Sequence, residues 1–176
     1  MSYSFWTNPE LGAAIEALNY EKMDSLLALG ASFNSCIRKY GLGGFEGNFK
    51  SALDYALSEK DVKLVKYIVN NGGNIVAIPM PELFTVNIAS PDKADCYPFA
   101  DERDREIFEF LSKTAYERIL KNTMPVFANV VRGIILYRGL IPDENVKIKL
   151  FAATEANDTN KVGRILEELV RKKDLK

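Results

Sequence analysis

Asp101, Glu102, Asp104 and Glu106 crowd together beside Arg103 and Arg105. Carboxylates at this spacing can hold a divalent cation or support hydrolysis. The same run is more often the solvated start of a helix, where the dipole favours acidic residues. Imidazole cannot assist them, because the chain has no histidine. That absence removes Ser-His-Asp and Cys-His mechanisms and His-based metal sites together. Cys36 and Cys96 stand far apart, form no Cys-x-x-Cys pair and read as reduced thiols. Asn157-Asp158-Thr159-Asn160 is rich in oxygen ligands but lacks the spacing and closing Glu of an EF-hand, so it reads as a turn. The glycine run from Gly41 to Gly47 lacks the Gly-Lys-Ser/Thr ending of a phosphate loop. No catalytic residue, metal or cofactor is therefore nominated.

The elements that carry these residues repeat. Leu11 to Asn34 and Leu53 to Ile75 share a Leu followed three residues later by Ala, at Ala14 and Ala56. Both then run through an apolar pair to a Gly-small-polar-apolar ending at Gly30 and Gly72, 42 positions apart (72 − 30). A helix–turn–helix unit cannot bury its apolar faces alone and stacks on copies of itself. Pro9 marks a helix start and Gly30 a stop. Leu11, Ala14, Ile15 and Leu18 recur at helical spacing, and Met23, Leu26 and Leu27 supply the second helix. A weaker copy runs from Leu150-Phe151-Ala152-Ala153 to Ile165-Leu166. Between the clear copies, residues 36–50 carry glycines interleaved with aromatics and form no helix, reading either as a mobile linker or as a binding finger. Residues 76–101 carry Pro79, Pro81, Pro91 and Pro98 and read as a long irregular connection. A helix follows over about 104–122 with Asp104 as N-cap and Ile107, Leu111, Ala115 and Ile119 on one face. Another spans about 124–139 with Val126, Val130, Ile134 and Tyr137 at core spacing.

The repeated unit resembles the ankyrin repeat. Ser51-Ala52-Leu53-Asp54 stands where that family has Thr-Pro-Leu-His, and Gly30-Ala31-Ser32-Phe33-Asn34 is close to its Gly-Ala-Asp-Val-Asn ending. The departures are the missing histidine, replaced by Gly12, Asp54 and Phe151, and a 42-residue spacing against a family unit of about 33. The resemblance implies an all-α fold, an ankyrin-like stack of antiparallel helix pairs in one domain over 1–176. Its clear repeats lie at about 8–34 and 51–75, its degenerate middle at 76–140 and its last pair at about 145–173. It also implies a protein–protein interaction module that binds through a concave face and finger loop. The candidate contacts are Glu16, Ser58, Glu59 and Glu155 on first helices, with Arg38, Lys39, Tyr40, Phe45 and Phe49 on the finger. Three carboxylates lining such a groove imply a partner with a basic surface. Phe45 and Phe49 either anchor that partner or fold back over the first two helix pairs, and Trp6 caps the apolar end of the stack.

Composition sets the remaining bounds. A formal charge of −1 supplies no global field for nucleic acid or anionic lipid, so either would need a local patch. Arg171-Lys172-Lys173 reads instead as a solvated helix end. No apolar run is long enough to span a bilayer and no signal peptide opens the chain, which implies a cytoplasmic protein, delivery as an effector remaining the open alternative. The expected partner is another protein, with no nucleic acid and no membrane, and the chain itself a monomer or weak homo-oligomer. Inhibitor, immunity protein and adaptor are the roles that fit so compact a chain. The rival readings are a carboxylate enzyme using segment 76–139 and a self-assembling structural subunit.

Overall fold

The computed structural model describes residues 2–42, 49–79, 101–121, 123–136, 140–141 and 143–174. The chain divides into two compact units, Met1–Asn74 and Ile75–Lys176. Eight helices dominate the described residues, accompanied by one three-stranded sheet that an all-helical reading does not include.

The first unit contains β1 (Ser2–Trp6), α1 (Pro9–Glu16), α2 (Tyr20–Ala28), β2 (Ile37–Leu42), β3 (Phe49–Ser51), α3 (Ala52–Ser58) and α4 (Val62–Asn70). Helix α1 starts as its sequence dictates, with Pro9 in the first turn and the Leu11 N–H donating to Asn8 Oδ1 at 3.1 Å. Ser51 and Asp54 form a reciprocal capping box at the start of α3. Leu11, Ala14, Ile15, Met23 and Leu26 are buried with Leu53, Ala56, Leu64, Val65, Ile68 and Val69.

The two helical hairpins are copies down to single hydrogen bonds. Leu18 and Lys60 both take a left-handed backbone, at φ 51° and 52°, the same 42 positions apart (60 − 18). The next residue caps the second helix in each. Asn19 accepts from the Lys22 N–H and Asp61 from the Leu64 N–H, while their own N–H groups donate to the carbonyls of Ala14 and Ala56. Gly30 and Gly72 then leave the hairpins at φ 93° and 89°, a conformation glycine adopts without steric cost. Leu18, expected in the core by its spacing, lies past the helix end and is 46% exposed.

A side chain at the end of the first copy joins it to the second. Asn34 Nδ2 donates to the Gly72 carbonyl at 2.9 Å, and the Asn74 N–H donates to Asn34 Oδ1 at 2.8 Å. Between the helices, the Tyr67 hydroxyl on α4 donates to Asp24 Oδ1 on α2 at 2.5 Å, and the Tyr67 ring meets Tyr20 and Phe33 edge-on.

The second unit contains α5 (Glu102–Leu120), α6 (Ala128–Leu136), α7 (Glu144–Glu155) and α8 (Thr159–Asp174). Helix α5 begins two residues earlier than the periodicity implies, capped by Asp101 in place of Asp104. It buries Ile107, Phe108, Leu111, Ala115, Tyr116 and Ile119 and packs on α6 and α8. The acidic run opens this helix, where Glu102 pairs with Arg105. The α7–α8 hairpin repeats the same turn a third time. Asn157 has φ 53°, the Asp158 side chain accepts from the Lys161 N–H, and the Asp158 N–H donates to the Ala153 carbonyl. Tyr137 and Cys96 lie outside the described residues.

Candidate functional site

The sheet is where the nominated residues gather. Strand β2 pairs antiparallel with β1 in the register Ser4↔Tyr40, Phe5↔Lys39, Trp6↔Arg38, and with β3 as Arg38↔Lys50 and Lys39↔Phe49. Alternation along a strand therefore sorts the finger into two sets. Trp6, Arg38 and Tyr40 share one face, and Phe5, Lys39 and Phe49 share the other.

On the first face Trp6 is buried against α1. A Cβ at Gly12 would lie 2.0 Å from Trp6 Cγ, so glycine at the position the ankyrin pattern gives to histidine makes room for the indole. The Trp6 Nε1–H donates to Glu16 Oε1 at 3.0 Å, and the same oxygen pairs with Arg38 Nη1 at 3.0 Å. The Arg38 guanidinium stands 5.7 Å from the Trp6 ring centroid and 5.2 Å from those of Tyr40 and Tyr55, within cation–π range of all three. Arg38 Nη2 donates to Ser4 Oγ at 3.3 Å, whereas Arg38 Nε is buried without a partner. Trp6 and Tyr55 meet edge-to-face at 5.5 Å. Burial, reinforced by the negative charges of Glu59 and Glu16, holds the Tyr55 hydroxyl above the ordinary tyrosine value, with Arg38 opposing them. Glu16 is exposed at the end of α1 as the pattern implies, but its carboxylate is engaged by the strand.

On the opposite face the Lys39 ammonium lies 6.0 Å from the Phe5 ring centroid and 5.7 Å from that of Phe49. Both rings face solvent, Phe5 at 50% and Phe49 at 57% exposure. One transverse rung of the sheet thus presents aromatic, cation and aromatic side by side.

The other nominated residues sit elsewhere. The Ser58 hydroxyl donates to the Tyr55 carbonyl at 2.8 Å, and Glu59 is the exposed C-cap of α3. Glu155 belongs to the second unit, where Arg132 donates to it at 2.8 and 3.1 Å. Phe45 lies outside the described residues. Sequence reasoning missed Phe5 and Tyr55. The signal for Phe5 was the alternation Ser2-Tyr3-Ser4-Phe5, a two-residue period that marks a strand.

Among the described residues no group of three or more His, Cys, Asp or Glu side chains is placed to hold a metal ion, and no helix is long and apolar enough to cross a membrane. No protein-family model matches the chain, and neither a curated protein nor a solved structure matches it.

Proposed function

We propose that this chain is an ankyrin-like helical-repeat module that works by binding another protein, in the role of an inhibitor, immunity protein or adaptor. The observation that carries the reading is the exposed rung Phe5–Lys39–Phe49. Exposed aromatic rings on a rigid framework are the usual anchors of protein interfaces. The framework here is fixed from behind, because Trp6 and Arg38 tie the strands to α1 and α3. Such prior ordering lowers the entropy lost on association. Repeat hairpins supply the scaffold and the finger supplies the contact. Glu16, offered by the pattern to a basic partner, already neutralises Arg38, so the sheet takes precedence over the carboxylate groove.

The test is affinity capture with the intact protein, identifying what is bound by mass spectrometry. The wild type is expected to retain one specific partner, and Phe5→Ala with Phe49→Ala to lose it while far-UV circular dichroism stays unchanged. A partner retained by the double variant would move the site off the sheet. Capture of nothing, together with concentration-dependent light scattering, would replace the binder with a self-assembling subunit.

A further inference from the structure

We infer that the Phe5–Lys39–Phe49 rung docks an acidic segment of the partner, one whose carboxylate reaches the Lys39 ammonium while a neighbouring apolar side chain covers the two rings. The inference rests on the reading of the chain as a binding module and adds the chemistry of what it binds. Its basis is a charge imbalance confined to the sheet. Strands Ser-Tyr-Ser-Phe-Trp, Ile-Arg-Lys-Tyr-Gly-Leu and Phe-Lys-Ser carry Arg38, Lys39 and Lys50 and no acidic residue. The chain as a whole is slightly acidic, with 23 basic and 24 acidic residues, so the cations of the sheet are a local departure.

The three cations are not equivalent. Arg38 is answered by Glu16 at 3.0 Å on the helix-facing side. Lys50 lies on that same side, its ammonium 5.9 Å from the Tyr40 ring. Lys39 alone stands on the solvent face, and among the described residues it meets two rings and no carboxylate. A ring face attracts a cation weakly where water competes. The ammonium therefore keeps its capacity for a charge-assisted hydrogen bond with an incoming carboxylate, strengthened as the flanking rings are covered and water is excluded. Two rings also narrow what fits, because an isolated anion would leave both Phe side chains in water. A segment with an acidic and an apolar side chain satisfies the whole rung. A single-stranded nucleic acid would also stack on aromatic rings, but it needs cations along its track, and this face offers one.

The experiment is selection of a phage-displayed random peptide library on the full chain. Wild type is expected to enrich peptides carrying Asp or Glu next to an aromatic or aliphatic residue. Lys39→Glu should shift the enriched charge to Lys or Arg. A peptide selected on the wild type should bind Lys39→Glu about tenfold or more weakly, and raised salt should weaken its binding to the wild type and so narrow that difference. Enrichment with no acidic bias, or equal binding by Lys39→Glu, would overturn the inference. Peptides insensitive to Phe5→Ala, Phe49→Ala and Lys39→Glu alike would leave the binding-module reading standing and this one refuted. No enrichment at all would refute both. Oligothymidine binding that is lost in the same variants would reassign the face to single-stranded nucleic acid.

Discussion

Cys36 shows how one buried side chain couples the fold to solution conditions. Its thiol is fully buried where the first helical hairpin leads into β2, with Sγ 3.8 Å from the Asn8 carbonyl. Burial pushes it up from about 9 to about 11, a trend the contact with Asn8 only partly offsets. The folded state therefore holds the proton more tightly than the unfolded chain. Stability from this group is complete below about pH 9 and is lost as pH rises through about 11. Tyr20 and Tyr67 of the same unit, raised chiefly by burial, act in the same direction. The urea midpoint is expected to fall between about pH 9 and about pH 11, and to fall less in Cys36→Ala, whose remaining slope belongs to the tyrosines. Identical slopes in the two proteins would show that the thiol does not contribute. At neutral pH, Cys36 should react with iodoacetamide only after denaturant is added.

At the scale of elements, the hairpins were the legible part. Ala14, Ala56 and Ala153 each accept a hydrogen bond from the capping residue of the second helix, and all three were visible as the small residue after Leu11, Leu53 and Leu150. Local rules fix such turns, because every contact involved lies within a few residues. Equivalent turns should respond equally. Asn19→Ala and Asp61→Ala are each expected to cost about 1 kcal/mol and the double variant about 2, measured by urea denaturation. A large cost at one site and none at the other would contradict their equivalence. The sheet was illegible for the opposite reason. Strand β1 is only five residues long and pairs across more than thirty intervening positions, and no local pattern announces a partner so distant. The finger reads as non-helical from its glycines, and the structure places Arg38, Lys39 and Tyr40 on β2 and Phe49 on β3. Which of them look inward was hidden, since that depends on the register between strands. The start of α5 was misplaced because Asp101 and Asp104 are equally good caps on paper.

For the molecule as a whole, the division into two compact units makes a statement about cooperativity. The single tryptophan, Trp6, lies in the first unit, whereas Leu111 is fully buried in the second. Leu111→Ala should cost about 2–5 kcal/mol within its own unit. The expected outcome is a lowered midpoint for part of the helical circular dichroism, with the Trp6 fluorescence transition unmoved. Both signals shifting together would mean that the units unfold as one. Order of assembly follows from the sheet register. Strand β1 precedes its partners Arg38 to Leu42 in the chain, and they are made only after α1 and α2. Those helices form through near-neighbour contacts, and their folding draws the two strands together at little further entropic cost. Phe5 and Lys39 become neighbours only then, and Phe49 joins later still. An unfinished chain has no rung to offer, so the binding proposed for this face would be withheld until synthesis has passed the second strand pair.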